Sequence, residues 1–173
     1  MIIQTFGLFW ERAEVDWFPG KGGSFRLLGH IGRNLPGLRL ADFRDQIGIY
    51  VLYNDYGPYN VGLTIDQGLG VRLRQHCGDR HAESWRRFSW FGFRGTEAPS
   101  SKELLCSLKA YRRNARVDSD TVIGDLEAML IKTLGPRGQN DMNFHDAEKW
   151  DQVRQDEIDS LEGKVAQSKN LSS

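Results

Sequence analysis

The stretch from Gly48 to His76, GIYVLYNDYGPYNVGLTIDQGLGVRLRQH, decides how the chain is read. Ile47 to Tyr53 is an apolar run of β-branched and aromatic residues bounded by Asp and Asn, which predicts a central strand. Asn54 to Pro58 is turn-like, and Tyr59 to Thr64 predicts a second strand, joined to the first as a hairpin whose register the loop sets. Leu69, Leu73 and Cys77 then recur every four residues, with Asp66 before them and Gly78 after, the pattern of a short amphipathic helix. Arg72 and His76 lie one turn apart beside its apolar stripe and can point into the same space, where Tyr50 could join them. Gly70 inside the helix costs about 1 kcal/mol relative to Ala, which implies close packing or close approach of a ligand.

Upstream, Ile2 to Val15 suits a strand and Ser24 to Leu28 a second, with Pro19, Gly20, Gly22 and Gly23 turning between them as an N-terminal hairpin. The GKGG within that turn lacks the GxxxxGK[ST] spacing of a phosphate loop. Downstream, Arg87 to Phe93 alternates as a third strand, completing a small antiparallel sheet, and Ser100 to Ala110 reads as a helix with serine caps. The clearest helix is Asp120 to Leu134, ended by Gly135 and Pro136, with Val122, Ile123, Leu126, Met129, Leu130 and Leu134 as its buried stripe. Glu127 leaves from among those apolar residues, and an unpaired buried carboxylate is costly enough to call for a metal or a cation. Phe144 to Leu161 carries Trp150, Val153, Ile158 and Leu161 at helical intervals among acids, an acidic amphipathic helix.

The expected architecture is therefore α+β: a small three-stranded antiparallel sheet flanked by helices, in a single domain over 1–163. It divides into an N-terminal β extension at 1–46, a core at 47–140 and the acidic helix at 144–163, followed by a disordered tail at 164–173.

Formal net charge is zero, but the charge is unevenly spread. Arg72 to Asp118 carries eleven Lys or Arg against five acids, and Asp141 to Glu162 carries eight acids against two bases. A basic middle attracts phosphates, and an acidic end faces solvent or a protein partner. Cys77 and Cys106 form neither a disulfide framework nor a zinc spacing. With no secretory leader pattern and no apolar run near the roughly 18 residues of a membrane span, the expected compartment is the cytoplasm.

Gly48-Ile49-Tyr50 on one strand, Tyr59-Asn60-Val61-Gly62 on the next, Arg72 and His76 on a helix, then Glu127 in LEAMLIK and Asn140 in a P-x-x-x-N ending occur in one order at compatible spacing. Over roughly Ile47 to Asn140 the chain resembles the GIY-YIG nuclease family. One element departs: Asn60 stands where the family's second tyrosine precedes Ile-Gly or Val-Gly, and Tyr59 comes one residue early. Strand alternation sends adjacent residues to opposite faces, so Tyr59 can take that role only through a bulge.

The resemblance implies metal-dependent endonucleolytic hydrolysis of phosphodiester bonds in DNA. Tyr50 would orient or deprotonate the attacking water, with His76 as base, and Tyr59 or Asn60 would supply the second position. Arg72 would bind the scissile phosphate, Glu127 would hold one Mg²⁺ or Mn²⁺, and Asn140 would steady the nucleophile or phosphate region. Residues Arg74, Arg80, Arg86, Arg87 and Trp90 form a basic, aromatic track for a nucleic-acid backbone. Plainer readings stand beside these: a core tyrosine, a capping histidine, an Arg72–Glu127 ion pair, and a strand with a solvated basic face. The alternatives in function are a non-catalytic nucleic-acid-binding module, or a nuclease subunit that needs a protein partner or a second copy docked on the acidic helix.

Overall fold

The computed structural model describes residues 2–21, 23–31, 39–99, 105–111, 119–134 and 150–155. Its nine strands are β1 (Thr5–Glu11), β2 (Leu28–Ile31), β3 (Leu40–Asp42), β4 (Gly48–Asn54), β5 (Gly57–Thr64), β6 (Arg87–Gly92), β7 (Thr96–Glu97), β8 (Leu105–Leu108) and β9 (Asp151–Gln155). Two α-helices accompany them, α1 (Leu69–His76) and α2 (Ser119–Leu134). The strands form one mixed sheet in the order β5-β4-β6-β1-β9-β2-β3-β8-β7.

This overturns the expected small three-stranded sheet flanked by helices. The antiparallel trio β5-β4-β6 exists, but only as one end of the larger sheet. The physical reason is that β6 has a free side after pairing with β4, and β1 takes it, with Thr5 opposite Gly92 and Trp10 opposite Phe88.

The expected N-terminal hairpin is also absent. β1 and β2 do not pair with each other, because β9 lies between them, parallel to β1 and antiparallel to β2. Asp151–Gln155 is therefore a strand and not part of an acidic helix; Val153 enters one core from it and Trp150, just before it, enters the other. The helix expected over Ser100 to Ala110 is instead strand β8 at Leu105–Leu108, parallel to β3. Residues 100–104, 144–149 and 156–173, with the rest of the expected acidic helix and the tail, lie outside the described residues.

Each face of the sheet carries its own core. Alternation sends Tyr50, Leu52, Phe88 and Trp90 to one face, where they pack with Trp10, Phe43, Trp85 and the α1 residues Leu69 and Leu73. Ile49 and Phe91 face the other way, against Phe6, Trp150 and the α2 residues Ala128 and Met129. The helices thus sit on opposite faces. Of the stripe expected on α2, Met129 is buried but Leu126 and Leu130 are exposed, and Asp125, Ala128 and Thr133 are buried beside Met129. The Asp125 carboxylate accepts hydrogen bonds from the backbone N–H groups of Ile2 (2.5 Å) and Ile3 (3.3 Å), which satisfies a buried charge without a metal.

Two glycines begin the strands of the β4–β5 hairpin at positive φ, Gly48 at 153° and Gly57 at 133°. A Cβ at Gly48 would collide with the Phe91 carbonyl of β6, whereas one at Gly57 meets nothing. Gly48→Ala is therefore expected to cost at least about 2 kcal/mol by urea denaturation, and Gly57→Ala less, because the second change incurs only backbone strain. Equal losses at the two positions would contradict the close approach of β4 and β6.

Candidate functional site

The site lies where α1 crosses the face of β4 and β5. In register, Tyr50 is opposite Gly62 and Leu52 opposite Asn60. Gly62 is required there: a Cβ would occupy the place of the Tyr50 hydroxyl. Helix α1 starts from Gly68, not from the expected Asp66, and its first N–H groups are taken by backbone carbonyls, Leu69 by Gln46 (2.7 Å) and Gly70 by Arg44 (2.9 Å). A Cβ at Gly70 would press on Arg44 and Phe25, so this glycine serves close packing and not a ligand.

Tyr50 and His76 meet as expected. The Tyr50 hydroxyl is 2.7 Å from His76 Nε2, and His76 Nδ1 is 2.7 Å from Asp79 Oδ2. A carboxylate only accepts, so Nδ1 carries the proton, neutral Nε2 is an acceptor and Tyr50 donates to it. Tyr50 and His76 are 1% and 2% exposed and so almost shielded from bulk water, whereas Asp79 at the end of the relay is exposed. Burial lowers the His76 pKa, and the hydrogen bond and charge of Asp79 oppose that only in part. Desolvation raises the Asp79 pKa, but the His81 N–H and the His76 ring outweigh it, and the net shift is downward.

The register of β5 slips between the Leu52 and Tyr53 positions: Tyr53 pairs with Pro58 and Leu52 with Asn60, leaving Tyr59 as the extra residue of a bulge. Asn60 shares the face of Tyr50, and the bulge lets Tyr59 reach that side as well. Its hydroxyl is 3.1 Å from His81 Nδ1, and the His81 ring meets the His76 ring edge-on at 5.1 Å. Asp79 ties the two together, since its Oδ1 accepts the His81 backbone N–H at 2.7 Å. Asp79 and His81 were missed in the sequence. The available signal was the spacing His76-x-x-Asp79-x-His81 immediately past a helix end.

Arg72 is half-buried on α1 and donates to Gln75 Oε1 (3.1 Å), whose amide is paired in turn with Gln67. Of the expected basic track, Arg74 is exposed over the Phe18 and Phe25 rings, and Arg80 is exposed and donates Nε–H to His81 Nε2 (3.2 Å). Arg86 and Arg87 are exposed near Asp55 and Glu11. Trp90 is fully buried between Trp10 and Phe43, so it offers no ring to a nucleic acid.

The helix that carries Glu127, α2, packs through Ala128 and Met129 on the sheet face opposite that of Tyr50, and the Glu127 side chain itself lies outside what is described. Asn140 lies outside the described residues. Among the described residues, His76, Asp79 and His81 place one potential ligand atom each within 4.8 Å of one another. That nitrogen-rich set suits Mn²⁺ or Zn²⁺ better than Mg²⁺, but all four ring nitrogens already have hydrogen-bond partners.

Comparison with protein-family models, with curated proteins and with solved structures finds no match to this chain.

The lowered His76 pKa links the site to stability. An unfolded chain takes up this proton near the ordinary value of 6.5, and the folded chain resists it. The unfolded state then binds more protons, so stability is full above that value and declines as pH falls toward the depressed one. Urea midpoints should drop between about pH 7.5 and about pH 5.5, and the drop should shrink in His76→Gln. The same drop in both proteins would assign it to other groups.

Proposed function

We propose that this chain is an endonuclease that hydrolyses phosphodiester bonds in DNA with a site of the GIY-YIG type. The observation that carries the reading is the Tyr50–His76–Asp79 chain of two 2.7 Å hydrogen bonds, with His76 on the same helix as Arg72 and Tyr50 on the same sheet face as Asn60. A hydroxyl donating to a neutral, carboxylate-oriented imidazole is a proton acceptor in waiting. As water attacks phosphorus, its proton passes to the Tyr50 oxygen while the Tyr50 proton moves to His76 Nε2. The imidazolium that forms is held by Asp79.

Arg72 supplies the anion-binding charge. Its guanidinium donates to the neutral Gln75 amide oxygen, a partner that a phosphate displaces by exchanging a neutral acceptor for a charged one. The exposed Arg74, Arg80, Arg86 and Arg87 provide sequence-independent attraction to a backbone. No described helix is long and apolar enough to cross a membrane. The cytoplasm, where DNA is within reach, remains the proposed compartment.

Plasmid nicking by purified protein, with Mg²⁺, with Mn²⁺ and without either, tests the reading. Arg72→Ala, Tyr50→Phe and His76→Ala should each slow nicking by about 10²-fold or more. Nicking by these variants at the wild-type rate would remove the assignment of residues. The near-complete burial of Tyr50 and His76 favours one rival, a module that binds nucleic acid without cutting it. Salt-sensitive DNA binding with no nicking under any metal would establish that rival.

A further inference from the structure

We propose that His81 is a positioning residue for a second proton-transfer group, Tyr59, which donates a proton to the oxygen that leaves phosphorus. The inference rests on the nuclease reading above and extends it to the other half of the reaction.

The hydrogen-bond polarity of the two tyrosines decides the roles. A guanidinium only donates, so Arg80 Nε–H fixes His81 Nε2 as an acceptor at 3.2 Å. Neutral His81 then carries its proton on Nδ1 and donates it to the Tyr59 oxygen at 3.1 Å. Tyr59 accepts from its histidine, whereas Tyr50 donates to its own. The Tyr59 O–H is thereby left free to donate outward, and the residue is 39% exposed where Tyr50 is 1%.

Hydrolysis of a phosphodiester needs both a group that takes a proton from water and a group that gives one to the leaving oxygen. The two pairs supply opposite functions on one face, with Asp79 touching both histidines. As the P–O bond to the leaving group breaks, its electron pair takes the Tyr59 hydroxyl proton. The phenolate left behind keeps the hydrogen bond from His81 Nδ1–H until solvent returns a proton. The bulge at Tyr59 is what gives this residue access to the face, so the departure at Tyr59-Asn60 becomes a functional feature.

The experiment compares two oligonucleotides, one with the ordinary linkage and one with sulfur replacing the leaving oxygen at the position the wild type cuts. A thiolate leaves without a proton, so it needs no acid. Tyr59→Phe and His81→Ala should cut the ordinary strand about 10²-fold slower than wild type, yet cut the sulfur-substituted strand within about 3-fold of it. His81→Asn, whose amide can replace the Nδ1–H donor, should recover part of the lost rate. Arg72→Ala should be slow on both. Equal losses on the two strands for Tyr59→Phe and His81→Ala, or no loss on either, would overturn the proposal while leaving the nuclease intact. A wild type that cuts neither strand would overturn the nuclease reading itself.

Discussion

The pairing of β9 on both its edges is the constraint on which the architecture depends. Five residues near the end of the chain, Asp151–Gln155, satisfy the backbone groups of β1 on one side and β2 on the other. Without that strand the sheet would end twice in unpaired N–H and C=O groups, a costly arrangement beside buried Trp10 and Val153. The side chains agree with the backbone. Trp10 donates its indole N–H to the Val153 carbonyl at 3.3 Å, and Gly29 of β2 leaves space for both Trp10 and Val153. The N-terminal half and the C-terminal segment are thus one sheet, and neither is an appendage.

That sheet gives the site its rigidity. β4 is flanked by β5 and β6, so the position of Tyr50 is held from both sides, and the indole of Trp85 donates to the His76 carbonyl at 3.2 Å from beneath α1. An imidazole that is almost fully buried must satisfy both nitrogens, and Tyr50 and Asp79 do so at 2.7 Å each. The exposed pair, Tyr59 with His81, is held more loosely at 3.1 Å and by an arginine that can leave. A buried, tightly held pair thus stands beside a more accessible one, which is the contrast the proposed roles of accepting and delivering a proton draw on.

Local pattern made the hairpin and α1 legible. The apolar, β-branched and aromatic run of Ile47 to Tyr53 and the period-four recurrence of Leu69 and Leu73 are properties of short segments, and such segments keep them wherever they pack. They allowed Tyr50 and His76 to converge, and the folded chain brings them to 2.7 Å. Other features were not legible because they depend on partners far away in sequence. Leu105–Leu108 has enough apolar content for either element, and β3 made it a strand. Val153 and Trp150 fit a helical stripe as well as they fit a strand that feeds two cores. The burial of Asp125 was not legible either, because it depends on the backbone N–H groups of Ile2 and Ile3, more than a hundred residues away, meeting its carboxylate.

By itself, the sequence determined the elements whose signal is contained in a dozen residues: the β4–β5 hairpin, the short helix with Arg72 and His76, the strand β6 and the long helix α2. Tertiary structure alone decided that nine strands join one sheet, that α2 covers the face away from Tyr50, and that Asp79 and His81 complete the relay. It also decided Tyr59-Asn60, where the sequence named a bulge as the condition for Tyr59 to reach the face of Tyr50 and left open whether one forms. The physical reason is the bulge: one extra residue in β5 changes the face a side chain occupies, and whether a strand bulges depends on its partner's register, which no single segment encodes.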